Sequence, residues 1–336
     1  MMINGARVIY NKLVQKNTEK VFLYSGGAIM SLIDCFHNKK QIDYYINTHE
    51  QNLGHCATGY ARASGKPGIC IVTSGPGLTN MVTPMLDAQN DSCPLLILSG
   101  QVPLSAMGTQ AFQEAPSVEI TKPFTKWSYC VKNVNELEDV MEEGYKVMLN
   151  GRPGVVHIDL PKCILNTEVD RKFVETEKVH YNNSSIIEIN NKSDYNNEIS
   201  GLVRMINKSK KPVLYVGQGC NNASTILRRL AKKNNIPVTT TIHGLGIFDE
   251  TDDLSLKFVG MHGSVYANKA IQESDCIIAM GSRFDDRTIG NLEYYAPNAI
   301  KASKENRGGI IHCNISGGEL NNIVNVDYAI RGDCGV

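Results

Sequence analysis

Short apolar runs alternate with helical patterns along the first half of the chain, and this alternation limits the folds open to it. The apolar runs, which predict β-strands, lie at 21–24, 43–47, 68–73, 94–99 and 155–159. The segments between them with helical patterns are 27–37, 50–63, 77–90 and 135–150. A run such as 94–99 is apolar nearly throughout, as strands covered on both faces are. The alternation therefore predicts a doubly wound α/β domain with a parallel sheet.

The second half of the chain repeats this alternation after a polar interruption. Residues 166–195 contain clusters of asparagine and serine and lack sustained periodicity, which is typical of a linker. Apolar runs that predict strands resume at 212–216, 237–241, 275–280, 309–314 and 326–330. At roughly 150 residues per domain, a chain of 336 residues suits two domains. We therefore expect one domain at 1–165, a linker at 166–195 and a second, Rossmann-like doubly wound domain at 196–336.

The charges of the chain balance, with 34 acidic and 34 basic residues. A balanced chain has no general attraction for nucleic acid or anionic membranes, so we expect neither as a partner. The ten cysteines are scattered singly and form no C-x-x-C pair, so they predict no metal site and are typical of a reducing compartment. The N-terminal residues run into a helical pattern with no signal-like or transit-like segment, and we expect a cytoplasmic protein.

A glycine turn follows the first strand of the second domain. Gly217 and Gly219 lie where free backbone N–H groups and a helix dipole could receive a pyrophosphate. Because Asn222 stands where the third glycine of the dinucleotide-binding pattern would fall, an ordinary tight turn is the alternative. Two later segments, 260–263 and 281–287, favour a ligand site at the same sheet edge. A surface cluster of ion pairs would explain the charges of 281–287 equally well.

In the first domain, an acid opens a predicted helix. Glu50 follows His49, but no second histidine stands one helical turn later, so a zinc-protease motif is excluded. A structural role is open to Glu50, because the helix dipole favours an acid in the first turn. The loops 73–77 and 108–114 follow strands at the same sheet edge, and with Glu50 they could line one cleft. Turn formation alone would also explain both loops.

Ten segments in order along the chain carry a recognisable pattern. Those of the first domain are 49–51, 59–68, 72–77, 111–114, 151–154 and 159–162. Those of the second domain are 244–246, 260–263, 283–287 and 307–312. Together they resemble the acetolactate (acetohydroxyacid) synthase family of thiamine diphosphate enzymes, over nearly the whole chain except the linker. The resemblance implies that the first domain binds the pyrimidine end of thiamine diphosphate and that the second binds FAD.

The resemblance also implies roles for individual residues of the first domain. Glu50 matches the glutamate that hydrogen-bonds the pyrimidine ring nitrogen and favours the imino form of the cofactor. Gln113 would donate a hydrogen bond near the reacting carbonyls, and Phe112 and Lys162 would flank the substrate channel. The other residues placed around this cofactor are Gly26, Gly27, Ser74, Gly75, Pro76 and Gly77.

For FAD, the resemblance implies a site across the carboxyl ends of the strands of the second domain. The residues assigned to it there are Gly217, Thr241, Ile242, Gly260, Met261, His262, Gly281, Arg283, Asp285, Arg287, Asn314 and Asp333. Arg152 is expected to reach the same site from the first domain. Asn314 departs from the family, which usually has an acid that can accept both ribose hydroxyls, so we expect weaker FAD binding. Asn52 and Leu53 replace a Gly-Ala pair on the helix that should face the cofactor.

The activity implied by the resemblance is the decarboxylating condensation of two 2-keto acids in valine, leucine and isoleucine synthesis. The substrates would be pyruvate with a second pyruvate or with 2-ketobutyrate. Magnesium is expected only on a third domain, whose Gly-Asp-Gly to Asn motif has no match in these 336 residues. We therefore expect the chain to be inactive alone, to form a homodimer and to need a separate diphosphate-binding chain, with a regulatory subunit as a further partner. The alternative is an inactive FAD-binding or interaction protein derived from the family.

Overall fold

The computed structural model of the protein describes residues 2–37, 41–170 and 192–335. The contacts between Cα atoms divide the chain into two compact units, with the division after residue 185. Each unit contains a six-stranded sheet in which all neighbouring strands are parallel. Apolar clusters lie on both faces of each sheet. The predicted fold class, two doubly wound parallel-sheet domains, is confirmed.

The first unit has its strands in the order β3-β2-β4-β5-β7-β6 in the large sheet, while β1 and β8 pair antiparallel apart from it. The strands are β1 (Met2–Asn4), β2 (Lys20–Leu23), β3 (Asp43–Ile46), β4 (Gly68–Val72), β5 (Leu95–Gln101), β6 (Trp127–Cys130), β7 (Val155–Pro161) and β8 (Glu168–Asp170). The helices are α1 (Gly5–Gln15), α2 (Met30–Asp34), α3 (Glu50–Ser64), α4 (Pro76–Thr79), α5 (Val82–Asn90), α6 (Ser117–Thr121), α7 (Leu137–Leu149) and α8 (Lys162–Asn166).

The second unit has its strands in the order β11-β10-β9-β12-β13-β14. The strands are β9 (Pro212–Val216), β10 (Val238–Thr240), β11 (Ser255–Phe258), β12 (Cys276–Met280), β13 (Gly309–Asn314) and β14 (Tyr328–Arg331). The helices are α9 (Lys192–Lys208), α10 (Ser224–Asn234), α11 (Val265–Glu273), α12 (Asp286–Ile289) and α13 (Pro297–Lys304). Across the residues that the structure describes, no helix is both long and apolar enough to span a membrane.

The central strands of the first unit are covered on both faces. Every residue of β4, β5 and β7 is buried, which explains why their sequences are apolar nearly throughout. On one face the sheet packs against α1 and α7 through residues such as Leu13 and Met141. On the other face it packs against α3 and α5 through residues such as Leu53 and Met85. Burial on both faces holds the carboxyl ends of these strands in fixed positions.

Two predicted helices are shorter in the structure. The segment 77–90 forms α4 and α5, with a turn at Asn80 and Met81 between them. Pro84 has no N–H group to donate to the carbonyl of Asn80, and its ring is crowded by that carbonyl, so an unbroken helix through this point is disfavoured. Within the predicted helix 27–37, only α2 is α-helical.

The segment predicted as a linker, 166–195, overlaps elements of both units. Strand β8 near its start pairs with β1, which ties this part of the chain to the N-terminus of the first unit. Helix α9 begins at Lys192, before the predicted start of the second domain at residue 196. Residues 171–191 lie outside the described part of the chain.

In both sheets the strand order reverses between two central strands. The reversal lies between β2 and β4 in the first unit and between β9 and β12 in the second. Because the connections on either side of such a point leave in opposite directions, a crevice forms at the carboxyl ends of the two strands. Open α/β sheets bind ligands at this position, so a functional site is expected there in each unit.

Candidate cofactor sites

Glu50 is a buried acid at the carboxyl edge of the first sheet. It is the first residue of α3, and His49 caps this helix by accepting a hydrogen bond from the Gln51 N–H at 3.1 Å. The residue is only 7% exposed, a position that is costly for a carboxyl group without partners. Its Oε2 accepts a hydrogen bond from Asn80 Nδ2 at 2.9 Å. Within the described residues, Oε1 has no hydrogen-bond partner, so it is available to a ligand.

Glycines let the loops at the β2/β4 crevice approach one another and Glu50. A Cβ atom on Gly26 would lie 2.3 Å from the Cβ of Thr73, so the loops after β2 and β4 can touch only because Gly26 has no side chain. A Cβ atom on Gly77 would lie 3.6 Å from Glu50 Oε1, in the space beside the carboxylate. Thr73 Oγ1 is buried and has no hydrogen-bond partner among the residues that the structure describes. The crevice therefore has two polar atoms, Glu50 Oε1 and Thr73 Oγ1, that have no partner in the described part of the chain.

The long loop after β5 reaches this crevice through Gln113. Gly75 has a φ of +58°, and a Cβ atom on it would lie 2.6 Å from the backbone oxygen of Gln113. Phe112, the neighbour of Gln113, is 88% exposed, and Lys162 is exposed at the start of α8. The structure thus brings Gln113 to the glycine loop and leaves Phe112 and Lys162 at the surface.

The remaining residues predicted around this cofactor lie in the same two loops. Ser74 is buried, whereas Gly27 and Pro76 are exposed. Their assignment to thiamine diphosphate, and that of Gly26, Gly75 and Gly77, stays a prediction.

A buried polar network that the sequence did not reveal anchors the loop after β5. Gln101 Nε2 donates to Asp159 Oδ2 at 2.9 Å, to Ser117 Oγ at 2.8 Å and to the Ala115 carbonyl at 3.1 Å. Because Ala115 and Ser117 end the loop that carries Gln113, Gln101 and Asp159 fix one end of that loop to the sheet. The loop also lines an open pocket of about 790 Å³ whose walls include Gln101 and Asp159 but neither Glu50 nor Gln113.

The same network continues into the core along β7. Ser99 Oγ lies 2.6 Å from Asp159 Oδ1 and 2.7 Å from His157 Nε2, and His157 Nδ1 lies 2.8 Å from Thr121 Oγ1. Burial raises the pKa of Asp159 to about 6, against the opposing effect of its hydrogen-bond donors. Burial lowers the pKa of His157 to about 3. At neutral pH this histidine is therefore uncharged.

In the second unit, the glycine turns at the β9/β12 crevice interlock. A Cβ atom on Gly217 would lie 2.3 Å from the backbone oxygen of Gly281. The N–H of Gly217 donates to the Met280 carbonyl and that of Gly219 to the Gly281 carbonyl, both at 2.9 Å. The N–H groups of Gly217 and Gly219 therefore bond to the neighbouring turn and are not free to receive a pyrophosphate. The assignment of Gly217 to FAD stays a prediction. A 3₁₀ turn rather than an α-helix follows Gly217. This agrees with the alternative stated from the sequence, an ordinary tight turn.

The segment 260–263 meets the end of the segment 281–287. Gly260 has a φ of +119°, and a Cβ atom on it would lie 2.7 Å from the Arg287 backbone oxygen. The Met261 N–H donates to the same oxygen at 2.7 Å. The three turns assigned to FAD thus form one connected edge of the second sheet.

Side chains on this edge offer apolar surface and positive charge. Ile242 and Met261 are 61% and 62% exposed, and His262 is exposed beside them. Arg283 is half-buried and forms no ion pair with any described residue. Its guanidinium is therefore available to an anionic ligand. Arg287 is exposed, and its Nε atom lies 3.8 Å from Oδ2 of the neighbouring Asp286.

Other residues assigned to FAD are engaged within the protein. Asp285 caps α12 by accepting from the Thr288 N–H at 2.9 Å, and Asp333 accepts from the Gly335 N–H at 2.7 Å. Thr241 donates its backbone N–H to the Val216 carbonyl at 2.8 Å. These contacts fix the shape of the edge.

Asn314 and Arg152 also bond to their own units. Asn314 Nδ2 donates to the Ser282 carbonyl at 2.8 Å, and its Oδ1 accepts from the Ser316 N–H at 2.9 Å. An aspartate could not donate to Ser282, so the asparagine stabilises the turn after β12. Arg152 donates from Nε to Ser92 Oγ at 2.8 Å and from an Nη atom to the Asn90 carbonyl at 2.9 Å, near the end of α5. Their roles in FAD binding stay predictions.

Comparison with known proteins identifies both units. Residues 3–120 match the thiamine pyrophosphate enzyme N-terminal TPP binding domain, and residues 199–336 match the thiamine pyrophosphate enzyme central domain. The chain belongs to the thiamine pyrophosphate enzyme family. In this family member the N-terminal match contains Glu50 and Gln113, and the central match contains all three interlocked turns. The resemblance stated from the sequence motifs is confirmed.

Several relatives of this thiamine pyrophosphate enzyme chain are acetolactate synthases. The chain is 43% identical to the mitochondrial acetolactate synthase catalytic subunit of Saccharomyces cerevisiae, over 98% of its own length and 49% of that protein. It is 40% identical to the acetolactate synthase large subunit of Corynebacterium glutamicum and 40% identical to the chloroplastic acetolactate synthase of Arabidopsis thaliana. Each match covers 98% of this chain, and they cover 51% and 47% of the relatives. The chain therefore spans about half the length of the relatives it matches.

Proposed function

We propose that this chain provides the pyrimidine-binding and central domains of an acetolactate synthase catalytic subunit. The observation that carries the proposal is the buried carboxyl of Glu50. One of its oxygens is held by Asn80, and the other has no partner across the described ranges 2–37, 41–170 and 192–335. A helix first-turn acid with only a structural role needs neither burial nor a free acceptor. The substrates would be pyruvate with pyruvate or 2-ketobutyrate, and a diphosphate-binding segment and a regulatory subunit would be partners.

The crevice fits the pyrimidine end of thiamine diphosphate. The free Glu50 Oε1 would hold a proton toward the pyrimidine ring nitrogen, and Thr73 Oγ1 offers a second polar contact. When bound, thiamine diphosphate supplies the nucleophilic carbon and the electron sink for decarboxylation of a 2-keto acid. Asn80 orients the Glu50 carboxyl through Oε2, and Gln113 would donate from its side chain toward the substrate.

The assay that tests this proposal supplies the half of the relatives that the chain does not match. The chain is mixed with a polypeptide corresponding to the second half of the Saccharomyces cerevisiae relative, and pyruvate, thiamine diphosphate, magnesium and FAD are added. We expect acetolactate to form in the mixture and not with either polypeptide alone. If the two polypeptides bind one another and no acetolactate forms, the proposed activity is wrong and an interaction protein is favoured.

We also propose that FAD binds at the interlocked turns of the second unit. Ile242 and Met261 provide exposed apolar surface for a flavin or adenine ring, and the unpaired Arg283 provides charge for the pyrophosphate. We expect Arg283→Ala to weaken FAD binding about tenfold or more, measured by equilibrium dialysis with flavin absorbance. Lys269→Ala, which removes an exposed cation from α11, is the control and is expected to leave the affinity unchanged. If the unmodified protein and both variants bind FAD with equal affinity, FAD binds elsewhere.

We infer that two copies of the chain associate through the first unit. Strand β3 forms an edge of the sheet, and Tyr44, Tyr45 and Ile46 in it are 45%, 46% and 67% exposed. An exposed apolar edge strand is prone to pair with another chain. We expect a dimer in sedimentation velocity at micromolar concentration, and we expect Ile46→Glu to raise the dissociation constant at least tenfold. The control is Ile226→Glu, at a residue of α10 that is 60% exposed, and it should leave the dissociation constant unchanged. A monomeric unmodified protein would contradict the inference.

A further inference from the structure

The middle of the long loop after β5 is closed by one carboxylate. Glu114 Oε1 accepts a hydrogen bond from the backbone N–H of Gly108, and Oε2 accepts one from the N–H of Ala111 at 3.1 Å. The N–H of Glu114 itself donates to the Ala111 carbonyl at 2.9 Å. The two oxygens of one side chain therefore fold residues 108–114 into a compact turn, which we call the carboxylate loop.

The carboxylate loop has no other anchor in the part of the chain that the structure describes. Residues 107–113 form hydrogen bonds there only with partners in the segment 104–114. The network of Gln101 and Asp159 holds the chain only from Ala115 onward. Hydrogen bonds to an ionised acceptor are about twice as strong as those between neutral groups. The carboxylate thus replaces the helix or strand bonds that this segment lacks.

The backbone of Gln113 depends on this closure. Gln113 has a φ of +60°, a left-handed conformation that a residue with a side chain rarely adopts. Such a conformation persists only where the surrounding structure fixes it. Gln113 lies between Ala111 and Glu114, which bond to one another, and its backbone oxygen packs against Gly75. Its side chain forms no hydrogen bond with any described residue, so its amide is available to a ligand.

We propose that Glu114 is a positioning residue, which holds Gln113 where its amide can donate to a 2-keto acid. This role rests on the proposed function, in which Gln113 donates toward the substrate. Both Glu114 oxygens already accept backbone hydrogen bonds. Its effect on the substrate therefore passes through the shape of the carboxylate loop and through Gln113.

Loss of this closure should change the KM for pyruvate more than kcat. If pyruvate binds only when the loop is closed, a mostly open loop weakens binding in proportion to the closed fraction. Saturating pyruvate draws the loop back to its closed form, so turnover recovers. We expect Glu114→Gln, which keeps one acceptor oxygen, to raise the KM at least about tenfold and to lower kcat less than about threefold. A purely structural role would reduce the amount of folded enzyme, which lowers kcat and leaves the KM unchanged.

Hydrogen exchange of the chain alone tests whether Glu114 closes the carboxylate loop. The unmodified chain, Glu114→Gln and Glu114→Ala are placed in D₂O, and peptides that span residues 107–114 are followed by mass spectrometry. We expect the amides of Gly108 and Ala111 to exchange at least about tenfold faster in Glu114→Ala, with an intermediate rate in Glu114→Gln. Peptides from β5 and β7 should exchange as in the unmodified chain, which shows that the unit is folded. The measurement needs neither a cofactor nor enzymatic activity.

The two-polypeptide assay with pyruvate tests whether the closure acts through Gln113. The KM for pyruvate and kcat are measured for Glu114→Gln, for Gln113→Ala and for the double variant. Because Glu114 acts through Gln113, the double variant should have the KM of Gln113→Ala, with no further increase. The control is Glu119→Gln, at an exposed acid of α6 that accepts no hydrogen bond from any described residue, and it should leave both constants unchanged.

Three results would overturn the proposal. They are unchanged exchange of Gly108 and Ala111 in Glu114→Ala, an unchanged KM for pyruvate in Glu114→Gln, and a KM in the double variant that combines both single effects. If the unmodified chain and its partner polypeptide form no acetolactate, the proposed function fails, and the role of Glu114 toward the substrate fails with it. Faster exchange in Glu114→Ala would still show that the carboxylate closes the loop, so the two failures can be told apart.

Discussion

Glu50→Gln is expected to lower the rate of acetolactate formation by about 10² to 10⁴, the usual contribution of a positioned acid–base group. Glutamine keeps the size of the side chain, and its oxygen can still accept the hydrogen bond from Asn80 Nδ2. It cannot hold and return a proton at the position of Oε1, the carboxyl oxygen to which no described residue bonds. The loss should therefore be in turnover, with the first unit folded. Turnover is measured in the two-polypeptide assay, and folding is checked by circular dichroism.

The control for Glu50→Gln separates catalysis from helix stability. Asp139 is an acid in the first turn of α7, so Asp139→Asn removes a similar favourable interaction with the helix dipole, worth about 0.3–1 kcal/mol. We expect this variant to keep its turnover. If Glu50→Gln also keeps its turnover to within about threefold, Glu50 has only the structural role that its place in the helix permits.

The sequence was informative where the function depends on local geometry. Glu50 could be placed because a predicted strand ends just before it and α3 begins at it. Gly26 and Gly75 could be placed because each lies in a loop at the end of a strand, and Gly77 because it lies in α4 directly after the second of these loops. Such positions depend on residues only a few places away, so they follow from the alternation of strands and helices.

The partners of these residues could not be predicted in the same way. Asn80 bonds to Glu50 across 30 positions, and the Gly217 N–H bonds to Met280 across 63. Both contacts depend on which strands are neighbours, which alternation alone does not specify. The glycine turn at 217 therefore matched a phosphate-binding pattern, although the N–H groups of Gly217 and Gly219 bond to neighbouring backbone carbonyls.

A detectable signal did exist for the buried network of the first unit. His157 and Asp159 alternate along an otherwise apolar strand, so both face the same side of a sheet that is buried throughout. Two ionisable residues in such a strand require polar partners. The identity of those partners, Ser99 on β5 and Thr121 on α6, again required the strand order.

This network leads to the second large expected effect, on the acid stability of the first unit. The pKa of His157 is lowered by burial from 6.5 to about 3, so between these pH values the folded unit binds one proton fewer than the unfolded chain. The free energy of unfolding therefore falls as the pH drops, by on the order of 5 kcal/mol over the whole range. The pKa of Asp159 is raised by burial from 3.8 to about 6, so the folded unit binds one proton more in that interval. This contribution rises by on the order of 3 kcal/mol as the pH drops from 6 to 3.8.

Between pH 6 and pH 3.8 the two contributions oppose one another, and single substitutions should separate them. Relative to the unmodified protein, Asp159→Asn should lose about 3 kcal/mol of unfolding free energy over this interval, because only the histidine then titrates. His157→Gln should gain about 3 kcal/mol, because only the aspartate titrates. Urea unfolding followed by fluorescence reports on this unit alone, since the single tryptophan of the chain, Trp127, lies in β6 beside β7. Parallel pH profiles for all three proteins would show that neither residue titrates as its burial requires.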